Sequence, residues 1–146
     1  MFNQKVAIIG QGYVGLPLAE ALIQSNFSVI GIDSNYSKVS DLRLGNFQKL
    51  FRESAALKTA LVSKSYIPTN DYSKISECSI IIVCVPTPLN RNLKPDYRYV
   101  FSAISESSPY LRPASLLILE STIASGDSKK FLNKFFSSTT NKHLNI

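Results

Sequence analysis

The stretch that decides the fold is KVAIIGQGYVGLPLAEAL, residues 5–22. A short apolar run rich in β-branched residues comes first, and apolar residues at helical spacing follow it. Between them Gly10, Gly12 and Gly15 form the pattern G-x-G-x-x-G. The first glycine permits a tight turn, the second lets a ligand approach the backbone, and the third lets the helix pack closely on the strand. The stretch therefore predicts a strand, a turn that binds a dinucleotide, and a helix.

The helix is predicted over residues 13–24, and helical spacing puts one set of apolar residues on its buried side: Val14, Leu18, Ala21 and Leu22. Its first N–H groups, from Tyr13 onward, have no carbonyl partner within the helix. Together with the positive end of the helix dipole, they form a site for a pyrophosphate.

A second strand is predicted over residues 27–32 (FSVIGI), and Asp33 follows it directly. An acidic residue at this point of a βαβ unit accepts hydrogen bonds from the adenosine ribose hydroxyls. The same charge would repel a 2′-phosphate. The expected cofactor is therefore NAD rather than NADP.

Further strands and helices alternate along the rest of the chain. Strands are predicted at 65–69, 79–85 and 115–120, and helices at 36–43, 53–62, 96–108 and 126–137. Five strands alternating with helices predict an α/β fold, a Rossmann-like doubly wound parallel sheet of about five strands with flanking helices.

Composition and charge narrow the function. The chain has 146 residues, 45% of them apolar, and a net charge of +6 that is spread along the sequence. Because no basic stripe with interleaved aromatic residues is present, we expect no nucleic-acid partner. No apolar run is long enough for a membrane span and no signal-peptide pattern precedes the first strand, so a cytoplasmic protein is expected. Cys78 and Cys84, in or beside an apolar run, are expected to be reduced thiols and not metal ligands.

Polar residues follow two of the later strands. Thr87 comes after the strand at 79–85, and Ser121 and Thr122 come after the strand at 115–120. Ligands of doubly wound sheets bind at the carboxyl ends of the strands, so these hydroxyls are candidates for lining the crevice. Turn formation or helix capping explains such hydroxyls equally well. The residues alone leave both interpretations open.

Several motifs, taken in order, resemble the NAD-binding N-terminal domain of the UDP-glucose/GDP-mannose dehydrogenase family. They are VAIIGQGYVGLPLAEAL, GID, IIIVCVPTPLNRNLKPDYRYV, LRP and LESTIASG, and they cover residues 6 to about 126. Jointly they are far more specific than the glycine pattern. Glu120 before Ser121 and the length of the PTPL loop are most similar to the UDP-N-acetylhexosamine 6-dehydrogenases.

The resemblance implies a two-step oxidation by NAD of a sugar C6 alcohol, through an aldehyde and a thioester, to a uronic acid for surface polysaccharide synthesis. It implies that Asp33, with Lys38 beside it, holds the adenosine ribose. It also implies that Thr122 lies near the nicotinamide in a supporting catalytic role. The full set of cofactor-binding residues expected is Gly10, Gly12, Tyr13, Val14, Gly15, Asp33, Lys38, Thr87 and Thr122.

The resemblance also carries expectations about domains. Residues 1–137 are expected to form the NAD-binding domain and residues 138–146 a polar tail. In the family, the nucleophilic cysteine and the sugar-binding domain lie beyond position 146. This chain by itself is therefore expected to bind NAD, to act on a UDP-sugar only with the missing domains, and otherwise to be inactive. Two departures from the family pattern are Ser125, where the family has proline, and Ala114, where it has glycine.

Two other interpretations are open. The chain could be a non-catalytic NAD-binding or interaction module that forms homo- or hetero-oligomers through an exposed sheet edge. It could also be a different NAD enzyme, such as a short hydroxyacid dehydrogenase. The second is less favoured because it leaves the VPTP and EST motifs unexplained.

Overall fold

Within residues 4–127 the sheet has five parallel strands, and the helices of this part of the chain pack on its two faces. The computed structural model describes residues 4–127. The strands are β1 (Lys5–Ile9), β2 (Ser28–Ile32), β3 (Tyr66–Thr69), β4 (Ile80–Val83) and β5 (Leu116–Leu119), in the spatial order β3-β2-β1-β4-β5. The chain runs outward from β1 in both directions, so the strand order reverses between β1 and β4. This confirms the predicted doubly wound sheet and places the crevice beside β1.

Four α-helices connect the strands within residues 4–127: α1 (Gly15–Gln24), α2 (Tyr36–Arg43), α3 (Ala55–Val62) and α4 (Arg98–Ser107). Helix α2 has the predicted bounds, and Asn35 caps its start by accepting the backbone N–H of Lys38. The others are shorter than predicted at their first turns. The part of the chain that the structure describes contains no helix with the length and hydrophobicity needed to cross a lipid bilayer. The predicted helix at 126–137 and the tail at 138–146 lie almost entirely outside the described residues.

Apolar side chains fill both faces of the sheet. Along β1, Val6 and Ile8 point to the layer that contains α1 and α3, while Ala7 and Ile9 point to the layer that contains α4. All four are at most 1% exposed. Successive side chains of a strand point to opposite faces, so a strand covered on both sides must be apolar throughout. This is the reason that the sequence of β1 lacks alternation.

The buried side of α1 differs from the prediction. Leu16 and Ala19 are fully buried, whereas Val14 is 54% exposed. Ala21 is also exposed, and Leu18 and Leu22 lie half-buried at the margin of the core. Helix α1 is apolar around most of its circumference, so the spacing of its apolar residues does not predict which side is buried. The close packing of Gly15 on the carbonyl group of Gly10 sets the rotation of the helix instead.

Candidate dinucleotide-binding site

A cleft of about 640 Å³ lies at the carboxyl ends of β1, β2, β4 and β5. Its walls come from the glycine turn, from the segments that follow these strands, and from α4. Eight of the nine residues expected from the sequence line it: Gly10, Gly12, Tyr13, Val14, Asp33, Lys38, Thr87 and Thr122. The ninth, Gly15, lies beneath the turn and packs against it. The structure thus brings the predicted residues together at one edge of the sheet.

Two of the three glycines are required by the protein itself. Gly10 has a positive φ of 96°, and a Cβ atom there would lie 2.6 Å from the carbonyl oxygen of Cys84. Its N–H donates to the carbonyl oxygen of Ile32 at 2.7 Å, which ties the turn to the end of β2. A Cβ atom at Gly15 would overlap the carbonyl oxygen of Gly10. Both positions therefore exclude any side chain, whatever the ligand.

Gly12 has a different surrounding. Apart from Gly12 itself and its two chain neighbours, no described residue has a heavy atom within 4 Å of the position that a Cβ atom would take there, and Gly12 lines the cleft. The first hydrogen bond at the start of α1 runs from Leu16 N to the carbonyl oxygen of Gly12 at 3.1 Å. The N–H groups of Tyr13 and Val14 precede this bond, and α1 has neither a side-chain cap nor an acidic residue in its first turn. This end of α1 suits a ligand pyrophosphate as its cap.

Asp33 is held from three directions. It follows β2 and is 6% exposed. Its Oδ2 atom accepts the backbone N–H of Gln11 at 2.9 Å, and its Oδ1 atom accepts that of Asn35 at 2.9 Å. The ammonium group of Lys38 donates to Oδ2 at 2.7 Å. A carboxylate has about four acceptor positions and an ammonium group three donors, so the pair keeps capacity for the two hydroxyls of a ribose.

The opposite wall of the cleft was not anticipated from the sequence. It is formed by Tyr72, in the 3₁₀ turn after β3, and by Ala103 and Glu106 of α4. Burial, and then the negative charges of Glu106 and Asp33, raise the pKa of Tyr72 to about 12, so its hydroxyl stays protonated at neutral pH. These residues lie within secondary structure and belong to no motif. Only the packing of α4 across the sheet reveals them.

The hydroxyls after β4 and β5 divide into two kinds. Ser121 donates to the carbonyl oxygen of Val85 at 2.7 Å and so links the segment after β5 to the segment after β4. For Ser121 the structural role is therefore sufficient. Thr87 is half-buried and Thr122 is exposed, and both line the cleft.

The segment after Thr122 is also held in place. The hydroxyl of Tyr97, the residue before α4, accepts the backbone N–H of Ala124 at 2.9 Å and donates to the carboxylate of Asp127 at 3.1 Å. These bonds anchor the segment after β5 to the start of α4. Sequence reasoning offered no signal for this contact.

Neither cysteine is suited to act as a nucleophile. Burial, and then the charge of Glu77, raise the pKa of Cys78 to about 11. Burial, and then the charge of Glu120, raise the pKa of Cys84 to about 11 as well. The expected raised pKa of Cys84 is confirmed, but its expected position within the strand is wrong, because β4 ends at Val83 and Cys84 lines the cleft. Both thiols are protonated at neutral pH.

Comparison with known proteins agrees with this site. The sequence matches the model of the NAD-binding domain of the UDP-glucose/GDP-mannose dehydrogenase family over residues 4–146. A UDP-N-acetyl-D-mannosamine dehydrogenase from Methanococcus maripaludis is 34% identical over 134 residues, which are 87% of this chain and 30% of that protein. A UDP-N-acetyl-D-glucosamine 6-dehydrogenase from Pseudomonas aeruginosa is 33% identical over 130 residues, 89% of this chain and 30% of that protein.

The fold has a solved counterpart in the same group of proteins. The structure of a UDP-D-ManNAc dehydrogenase from Pyrococcus horikoshii superimposes with a TM-score of 0.81 and 26% identity, over 92% of this chain and 32% of that one. This chain spans about 30% of the length of the curated relatives it matches. The family match extends over nearly the whole chain, and the matched model is that of an NAD-binding domain. The chain belongs to the UDP-glucose/GDP-mannose dehydrogenase family and corresponds to its NAD-binding domain.

Proposed function

We propose that this chain is the cofactor-binding part of a UDP-N-acetylhexosamine 6-dehydrogenase, which oxidises the sugar C6 alcohol to a uronic acid for surface polysaccharide synthesis. The observation that carries the proposal is the pairing of Asp33 and Lys38 beside an uncapped helix start in one cleft. The sugar class comes from relatives that are themselves UDP-N-acetyl-D-mannosamine and UDP-N-acetyl-D-glucosamine dehydrogenases.

The proposed roles follow the positions of the residues in the cleft. The N–H groups of Gly12, Tyr13 and Val14 bind the pyrophosphate, and Asp33 with Lys38 binds the adenosine ribose. Thr87 and Thr122, on the β4 and β5 side, line the part of the cleft left for the nicotinamide. When bound, NAD would supply hydride acceptance from the sugar C6, and Thr122 would have a supporting role beside the nicotinamide, ordering a water molecule or the substrate.

We propose that the chain alone binds NAD but oxidises nothing. The thiol nucleophile that the family chemistry requires is not supplied by Cys84, which is protonated at neutral pH. Turnover of a UDP-sugar would then need polypeptide beyond this chain. Within the chain, residues 1–137 are proposed as the domain and residues 138–146 as a polar tail.

The β5 edge is the proposed contact surface for that polypeptide or for another copy of the chain. Among residues 4–127, β5 is the outermost strand on its side and pairs with β4 alone. Leu116 on this strand is 46% exposed. A strand edge of this kind favours pairing with another strand. A clean monomer in size-exclusion chromatography with light scattering would count against an oligomer formed through this edge.

We also propose a cytoplasmic location. Cys78 and Cys84 are both free thiols, and thiols persist in a reducing compartment.

The proposed function is tested by calorimetric titration of NAD into the purified chain. We expect saturable binding of NAD, weaker binding of NADP, and loss of NAD binding in Asp33→Ala. Glu53→Ala serves as the control, because Glu53 is an exposed carboxylate paired with Lys58 and does not line the cleft. Absence of NAD binding by the unmodified chain would refute an independently working cofactor site.

The inactive part of the proposal needs a separate assay. The chain is incubated with NAD and UDP-N-acetylmannosamine or UDP-N-acetylglucosamine, and NADH is followed by its absorbance. We expect no NADH. Production of NADH by the pure chain would contradict the claim that further polypeptide is required.

A further inference from the structure

The residue between the first two glycines, Gln11, has a fully buried side chain. Its Nε2 atom donates to the carbonyl oxygen of Ile8 at 3.0 Å, and its Oε1 atom accepts the hydroxyl of Tyr66, in β3, at 2.7 Å. Its backbone N–H donates to Oδ2 of Asp33 at 2.9 Å. One residue of the glycine turn thus connects β1, β3 and the carboxylate at the end of β2.

The path of this side chain depends on a glycine in β2. A Cβ atom at Gly31 would lie 2.7 Å from Oε1 of Gln11 and 2.9 Å from a ring carbon of Tyr66. The amide of Gln11 and the ring of Tyr66 therefore meet across β2 in the space that Gly31 leaves open. A side chain at position 31 would separate the turn from β3.

The contact between Gln11 and Tyr66 is closed to solvent. Tyr66 is 1% exposed and Gln11 is 0% exposed. Burial, and then the charge of Asp33, raise the pKa of Tyr66, so its hydroxyl remains a donor at all physiological pH values. A buried amide oxygen that loses its donor carries the full cost of desolvation. The turn would have to shift for Oε1 to find another donor, and such a shift would move the Gln11 N–H that orients Asp33.

We infer that Tyr66 and Gln11 form a tether that positions the glycine turn and the Asp33 carboxylate for NAD. Tyr66 is a positioning residue, since it does not line the cleft and acts through Gln11. The inference rests on the proposed binding of the NAD ribose by Asp33. It adds that the residue between the two glycines and a tyrosine on the third strand set the affinity of that site.

The first test is Tyr66→Phe, which removes one hydroxyl and keeps the ring. We expect NAD binding about tenfold weaker by calorimetry. Oε1 of Gln11 loses its hydrogen-bond donor in this variant, so the glycine turn is no longer held in position. Tyr110→Phe removes the hydroxyl of an exposed tyrosine outside the cleft and should bind NAD like the unmodified chain.

Two measurements separate positioning from general loss of structure. In an Asp33→Asn background, Tyr66→Phe should cost little further NAD affinity, because the two residues act on the same contact. Hydrogen exchange at the backbone N–H of Gln11 should also become faster in Tyr66→Phe. Exchange at the backbone N–H of Val29, in the core of β2, should stay unchanged. The exchange measurement needs no cofactor. It therefore tests the contact between Tyr66 and Gln11 even if the unmodified chain fails to bind NAD.

A double variant covers the case in which Tyr66→Phe does not fold. Gln11→Met combined with Tyr66→Phe removes both polar partners and leaves apolar groups of similar size, so the fold should recover. NAD affinity should remain reduced, because methionine cannot form the directed bond to Ile8. The inference would be overturned if either folded variant bound NAD as tightly as the unmodified chain. It would also be overturned if exchange at the backbone N–H of Gln11 were unchanged in Tyr66→Phe.

Discussion

The ammonium nitrogen of Lys38 lies 2.7 Å from Oδ2 of Asp33, the same carboxylate oxygen that accepts the backbone N–H of Gln11. The side chain of Asp33 is 8% exposed and that of Lys38 is 24% exposed. The positive charge of Lys38 therefore balances the negative charge of Asp33, and both groups have limited access to water. A 2′-phosphate approaching this site would meet an ion pair and not a bare negative charge. Exclusion of NADP is consequently weaker than Asp33 alone suggests.

Replacing Lys38 by methionine tests this relationship. We expect Lys38→Met to bind NAD about tenfold more weakly, because a charge-assisted donor is lost from the ribose site. The variant should also show a larger ratio of NADP to NAD dissociation constants, since the unbalanced Asp33 repels the 2′-phosphate more strongly. Calorimetry with both cofactors gives the ratio, and Lys58→Met, in an exposed ion pair with Glu53, is the control. An unchanged or smaller ratio would show that Lys38 does not moderate the charge of Asp33.

Gly12 and Gly15 should respond to alanine in opposite ways. Gly12→Ala meets no described atom, so its thermal unfolding should match that of the unmodified chain, while NAD binding falls at least about tenfold because the methyl group takes the place of the pyrophosphate. Gly15→Ala puts a methyl group into the carbonyl of Gly10 and should destabilise the domain by about 2 kcal/mol or more. Thermal melts and NAD titrations of both variants distinguish these effects. NAD binding unaffected by Gly12→Ala would mean that the pyrophosphate does not pass over Gly12.

Features that depend on neighbouring residues in the chain were predictable from the sequence. The start of α2 was predicted from the helical pattern, and the structure shows Asn35 capping it there; Asp33 could be located because it directly follows a short apolar strand. Features that depend on packing were not. Position 11 carries no signal in the glycine pattern, and its contact with Tyr66 exists only because β3 lies beside β2. The side of α1 that is buried was decided by the contact of Gly15 with Gly10 and not by hydrophobic spacing.

Ala114 is one of the two departures from the family pattern, and the structure gives it a physical meaning. Its φ is 65°, in the left-handed region that favours glycine. Ala114→Gly should therefore stabilise the domain by about 0.5 to 1 kcal/mol, the strain relieved less the added entropy of the unfolded chain. Ala56→Gly, within α3, should instead destabilise the domain by a similar free energy. Chemical denaturation of both variants measures the difference, and a destabilised Ala114→Gly would show that the turn before β5 is not strained.

The reactivity of Cys84 should reveal both its raised pKa and its place in the cleft. Burial, followed by the charge of Glu120, disfavours the thiolate and raises the pKa to about 11. In a Cys78→Ala chain, labelling by iodoacetamide should be slow at pH 7 and rise about tenfold per pH unit toward pH 11, since only the thiolate reacts. NAD should slow the labelling, because Cys84 lines the cleft. The same chain with Cys84→Ser added has neither cysteine, provides the unlabelled control and should still bind NAD. A rate that levels off near pH 8.5 would show an ordinary, water-exposed thiol, and labelling unaffected by NAD would place the cofactor away from the end of β4.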